Sequence, residues 1–229
     1  MQPMTYSCRY CKRSFAKEST LTGHICERKR RAADQDQKQN RIAFQSWLVW
    51  RKRAMSMTKT DKTYEDFIAN ANFIGFMKLS RFIIDLGIDS AEDYVDYLAM
   101  KGIAIAKWTS DSVYENFIKE KTKKETVERA IERTILNMKA WAEKSQYDYT
   151  EYFVRVSAVQ AVQDIRMGRI SPWSTFASDQ GSRLIDRLEP GQVESLVDYL
   201  DPKSWRAKVM RQSQDAECVQ QVFNQAEIK

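Results

Sequence analysis

Apolar residues recur at helical spacing along most of the chain, and that spacing predicts a run of helices rather than strands. Ile42, Phe44, Trp47, Leu48 and Trp50 form a dense stripe followed by Arg51-Lys52-Arg53. The bland reading of the two tryptophans is docking onto a core; membrane-surface contact and nucleobase stacking are the alternatives. Met55 to Lys62 is polar and reads as a loop. Thr63-Tyr64-Glu65-Asp66 opens a helix with acids in its first turn, where the helix dipole favours them. Asn72 to Leu86 carries Phe73, Phe76, Met77, Phe82 and Ile83 on one face and ends at Gly87. Ser90 is placed to cap Ala91 to Leu98, which Gly102 closes. Ser110 to Ile118 is a further short helix. Thr122-Lys123-Lys124-Glu125 has capping-box spacing and predicts the start of a long helix through Val127, Ile131, Ile135, Met138 and Trp141. Residues 149–167 predict one more. Pro172, Pro190 and Pro202 each follow a Ser, Glu or Asp, as at helix starts. No alternating strand pattern persists and no internal repeat is present.

The first residues read differently. Tyr6-Ser7-Cys8-Arg9-Tyr10-Cys11 is followed by Phe15, Leu21, His24 and Cys26, in the pattern Y-x-C-x2-C-x3-F-x5-L-x2-H-x-C. Three thiols and an imidazole make four N/S donors, enough to close a tetrahedral Zn(II) site; the alternative is that the cysteines are ordinary thiols. A module of about thirty residues buries too little to fold alone, so metal would supply most of its folding energy. Tyr6, Phe15 and Leu21 would form the small core beneath it.

This stretch resembles the two-Cys-two-His zinc finger family over residues 6–26, with the match specific up to His24. The family places its last His three to five residues after the first; here Cys26 follows after one, making a Cys-Cys-His-Cys variant. Residues two apart on a helix point about 200° from each other, so His24 and Cys26 cannot both reach one ion from a continuous helix. The helix must therefore end near His24, and Gly23 makes that plausible. The resemblance implies a ββα-type finger with one structural zinc ion on Cys8, Cys11, His24 and Cys26. It also puts base-facing positions on Lys17, Ser19, Thr20 and Gly23. Lys17 can donate to guanine and Ser19 or Thr20 to several bases, but the set lacks a strong Arg or Asn reader. The region around Gly168-Arg169-Ile170-Ser171-Pro172-Trp173, together with this finger, is similar to uncharacterised zinc-finger proteins of large tailed bacteriophages, and that similarity implies no function.

Charge changes the picture of the N-terminal part. Residues 1–60 hold 14 Lys/Arg against four Asp/Glu, and the rest hold 23 against 27, giving the overall +6. The positive excess thus lies in the finger and the segment behind it, as in a basic nucleic-acid-binding arm. Arg9, Lys12 and Arg13 on the knuckle, with Arg28, Lys29, Arg30 and Arg31 behind it, are placed to meet phosphates, which gives affinity without sequence choice. A solvated surface face is the other reading of that cluster. Residues 32–40 are polar and predict a helical or partly disordered linker.

Composition adds exclusions. Seven Gly and four Pro in 229 residues, with 43% hydrophobic content, favour a helical core. No apolar run approaches the roughly twenty residues of a membrane span, and the N-terminus lacks a signal-peptide core. Thiols used as ligands point to a reducing, cytoplasmic compartment, the host's cytoplasm if the protein is viral. Evidence for catalysis is thin: zinc claims the single His, no Gly-rich phosphate loop is present, and Cys218 has no His partner. Carboxylates such as Asp85, Asp89, Glu92, Asp93 and Asp96 would hold Mg(II) only if several converged; a solvated helix face is the simpler account. The expectation is a mainly α protein that is not an enzyme: a zinc finger (1–27), a basic helical linker (28–59) and an all-helical domain (60–229). The expected partners are DNA or RNA at low sequence specificity, plus a protein partner for the helical domain. The alternative function is a protein–protein adaptor whose finger is structural.

Overall fold

The N-terminal hairpin pairs β1 (Tyr6–Ser7) with β2 (Ser14–Phe15), Tyr6 opposite Phe15. The computed structural model describes residues 5–54, 62–88 and 91–229. Among these the fold is mainly α, with fifteen α-helices and one two-stranded sheet. The predicted loop over 55–62 and the predicted cap at Ser90 lie, apart from Lys62, outside the described residues. Among the described residues no helix is long and apolar enough to cross a membrane.

The chain divides into two compact units, Met1–Tyr114 and Glu115–Lys229. In the first, α1 (Glu18–Gly23) and α2 (Glu27–Ala33) follow the hairpin, and α3 (Lys38–Ala54) comes next. Then come α4 (Tyr64–Ile68), α5 (Phe73–Leu86) and α6 (Ala91–Met100). Helix α3 packs on α5 and α6. Small side chains permit the approach: Ala43 and Ser46 on α3 and Ser80 on α5 are all buried. The tryptophan stripe is core. Trp47 is buried against Phe67 with ring centroids 5.6 Å apart, and Trp50 meets Phe76 at 5.8 Å. Arg53 clamps Asp96 of α6 through two bonds of 2.5 and 2.8 Å, a bidentate geometry that fixes orientation as well as charge. Thr63 caps α4 in a reciprocal box with Asp66. Gly87, at φ +60, lets the Ile88 N–H turn back to the Ile83 carbonyl and end α5, a conformation that costs L-residues with a Cβ.

In the second unit the apolar stripes converge on one core that includes Met138, Tyr152, Phe153, Trp173, Trp205 and Phe223. Two predicted boundaries are corrected here. Helix α7 (Asp111–Lys124) runs through Thr122, whose buried hydroxyl donates to the Ile118 carbonyl at 3.0 Å rather than capping a new helix. Phe117 and Ile118 are buried one turn earlier, so Thr122 continues their face, and Glu125 turns to Ser171 (2.6 Å) and Arg133 (2.5 Å) instead of back to Thr122. Helix α8 (Val127–Ala142) starts after Thr126.

The single helix expected over 149–167 is broken. A 3₁₀ turn (Tyr149–Glu151) leads into α9 (Tyr152–Arg155), which ends at Val156, and the side chain of extended Ser157 caps α10 (Ala158–Arg166). The break buries Phe153 and Val156 while leaving Val159 74% exposed, so the stripe read from the sequence was not one face. The carbonyls orphaned by the break find a donor in Arg187, which bonds Phe153 O and Val154 O at 2.6 Å each.

The three prolines all sit at the first turn of their helices: α11 (Pro172–Phe176), α13 (Pro190–Leu200) and α14 (Pro202–Arg211). Between the first two lies α12 (Asp179–Asp186), and α15 (Ser213–Gln225) ends the helical run. Helix α12 approaches α11 so closely that a Cβ on Gly181 would lie 2.0 Å from the Ser174 carbonyl oxygen. Backbone cannot yield as a flexible side chain can. Gly181→Ala is therefore expected to destabilise the protein by about 1–3 kcal/mol, by overpacking. An unchanged denaturation midpoint would show that the two helices part freely.

Candidate metal centre

The knuckle is built by the backbone. The Cys8 N–H donates to Arg13 O at 2.9 Å and the Lys12 N–H returns to Cys8 O at 2.8 Å. Lys12 adopts a left-handed φ of 61° to close the turn. The turn brings Cys8 and Cys11 to the same side, with Cys8 buried. The Cys11 backbone N–H, followed by smaller hydrogen bonds from Tyr10 and the other thiols, holds the Cys8 thiol down at about 7 against the opposing effect of burial. A thiol so placed is readily ionised, as a metal ligand must be.

The imidazole comes from the residue that ends helix α1. Its last turn closes with the His24 N–H on Leu21 O at 3.1 Å, and His24 itself is extended. The helix thus ends where the one-residue gap between His24 and Cys26 requires. Cys26, also extended, is the N-cap of α2, and its Sγ accepts the Lys29 N–H at 3.4 Å. His24 presents Nε2 to the Cys11 Sγ at 3.2 Å, and its ring lies against Phe15 at 4.7 Å.

The ligand atoms of Cys8, Cys11, His24 and Cys26 all lie within 4.8 Å of one another. An ideal tetrahedron with metal–sulfur bonds of 2.3 Å has edges of about 3.8 Å, so small side-chain adjustments close the four donors around one ion. Four protein donors would complete a tetrahedral shell around such an ion.

The cations divide into two sets. Arg9, Lys12, Arg13, Lys17, Arg28 and Arg30 are exposed, as are Ser19 and Thr20 on α1. Arg28 nevertheless reaches back to bond Tyr10 O at 3.2 Å, tying α2 to the knuckle. Lys29 and Arg31 are partly buried and employed within the fold. The Lys29 ammonium bonds His24 O at 3.3 Å. Arg31 pairs with Glu27, donates to Ile68 O at 2.9 Å and covers the Phe73 ring at 4.0 Å. Tyr64 returns a bond to Arg31 O at 3.1 Å.

Read as four adjacent cations, residues 28–31 gave no sign of this division. The 3.6-residue period alone could have suggested it, because the four side chains leave a helix in four directions. Nor did the sequence signal that Cys26, a candidate ligand, would also cap a helix. Compared with protein families, curated proteins and solved structures, the chain matches none of them.

Proposed function

We propose that the metal is a single structural Zn(II), and that the finger it folds is the nucleic-acid-binding part of an accessory protein. The observation that carries the reading is the set of exposed cations gathered on the knuckle, α1 and α2 around a four-donor site. Three thiolates and an imidazole suit zinc, whose borderline-soft character accepts both donor types. Phosphate contacts dominate this mode of binding. The side chains at the base-facing positions are short or absent apart from Lys17, so sequence choice is weak. The helical remainder is read as the part that meets a protein partner, and the chain as non-enzymatic, cytoplasmic and drawn to DNA or RNA. The adaptor reading, with a finger that never touches nucleic acid, is the competing account.

Binding to oligonucleotides at about 50 and 200 mM salt distinguishes the two. On duplex DNA the slope of log affinity against log salt is expected near −0.9 per phosphate neutralised. The combined substitution Lys12→Ala, Arg13→Ala, Arg28→Ala and Arg30→Ala is expected to flatten that slope and weaken all sequences alike. Lys29 and Arg31 are left intact because they are partly buried and hold the fold, and unchanged metal stoichiometry verifies that losing the Arg28 bond to Tyr10 O leaves the finger intact. A quadruple variant that binds as the parent does would move the function to the adaptor reading, as would a parent that binds nothing at low salt.

A further inference from the structure

A nucleic-acid-binding finger could take duplex or unpaired strands, and a choice between them rests on the proposed function. A finger that reads duplex DNA lays a helix in the major groove and brings several side chains to base edges. Helix α1 is poorly made for that. It has six residues, about 9 Å of length. Its first turn carries Glu18, an acid that would face phosphates. Ser19 and Thr20 are short, and Gly23 offers no side chain.

The knuckle turn is made differently. The Arg9 guanidinium lies over the Tyr10 ring, 4.5 Å from its centroid, and donates to the Tyr10 hydroxyl at 2.5 Å. Arg28, beyond the last metal ligand in sequence, bonds the Tyr10 carbonyl. Nearby along the chain, Arg13 stands 5.7 Å from the Phe15 ring. The Arg9 side chain is 71% exposed, and Glu65 at 3.4 Å offsets its charge. A cation that already has a carboxylate beside it gains less from a phosphate. A guanidinium is flat, and beside an aromatic ring it offers a base a surface to stack on.

We propose that the finger's ligand is unpaired nucleotides, as single-stranded DNA or RNA. A base stacks on the Arg9–Tyr10 pair, and Lys12, Arg13 and Arg28 meet the adjoining phosphates. Stacking tolerates any base because every base has a π face, which agrees with a site that has few readers of base edges. In a duplex the bases are stacked on one another and closed to such a platform.

The test uses the metal-loaded full chain and fluorescence anisotropy. The probes are an unstructured single-stranded DNA, the RNA of the same sequence, and the matching DNA duplex. One or both single strands are expected to bind at least about tenfold more tightly than the duplex. Tyr10→Ala is expected to lower single-strand affinity about tenfold, within the usual range for losing one stacked base. Its effect on duplex binding should stay within about twofold, and Tyr10→Trp should retain single-strand binding. Unchanged metal stoichiometry verifies that each variant keeps the finger. The better single strand identifies the preferred sugar. Equal affinity for strand and duplex, or an equal loss on both in Tyr10→Ala, would overturn this inference while leaving a phosphate-binding finger in place. Absence of binding to all three probes would overturn the proposed function as well.

Discussion

Stripping the metal with a chelator, or replacing Cys8 by Ser, is expected to unfold residues 5–27 while the helices from α3 onward stay folded. The finger has no core of its own to fall back on. Among the described residues before Asn40, Cys8 alone is buried; Tyr6, Phe15 and Leu21 are only partly covered. For structural zinc in small fingers the apparent binding free energy is about 10–16 kcal/mol, and it acts as folding free energy. The damage should reach one step further than the ligands. Without the metal Cys26 loses its fixed position, and α2 loses the cap on the Lys29 N–H, an interaction worth about 1 kcal/mol in ordinary caps. The far end of α2 is held independently by Arg31 on Ile68 and Phe73 and by Tyr64. Fraying should therefore stop near Arg31. Hydrogen exchange before and after chelation, with metal analysis of the purified chain, reads this directly. Full protection of residues 5–27 after complete metal loss would show that no ion holds the finger together.

The range of each interaction decided whether the sequence revealed it. The four clustered donors were legible because their spacing is local. The one-residue gap between His24 and Cys26 even required the helix to end at that point, and α1 does end at Gly23. The tryptophan stripe of α3 and the three proline starts were legible for the same reason: a 3.6-residue period and a missing N–H are properties of the segment itself. The failures came where a distant partner decides. Thr122-x-x-Glu125 has the spacing of a capping box, yet Glu125 is taken by Ser171, 46 positions away, and by Arg133. The break at Val156 depends on Arg187, more than thirty residues on, to satisfy the carbonyls it frees. Likewise, the use of Arg31 inside the fold depends on Ile68 and Phe73, which no local pattern links to a basic cluster.

The second large effect belongs to a residue with no local signature. Asp164→Ala is expected to destabilise the Glu115–Lys229 unit by about 3–5 kcal/mol, the usual consequence of breaking a buried charged network. The carboxylate is buried and collects four side-chain donors. Tyr152 Oη (2.7 Å) and Asn137 Nδ2 (3.2 Å) bond one oxygen, while Gln160 Nε2 (2.9 Å) and Arg169 Nη1 (3.3 Å) bond the other. Its backbone carbonyl also accepts the Arg169 and Ile170 N–H groups that end α10. The residue thus joins α8, α9, α10 and the turn before α11, the elements around the break that the sequence did not predict. Burial, then the adjacent carboxylate, push the Tyr152 phenol above its ordinary range, so it stays protonated and donates. Removing the carboxylate takes this acceptor from a buried hydroxyl and the paired charge from Arg169. Tyr152→Phe removes only one donor and should cost about 0.5–1.5 kcal/mol. Asp164→Asn should fall between the two, because it keeps the shape but exchanges one acceptor for a donor facing other donors. Urea unfolding of the three variants measures the series. If Asp164→Ala and Tyr152→Phe shift the midpoint equally, the carboxylate serves one hydrogen bond and the network holds nothing more.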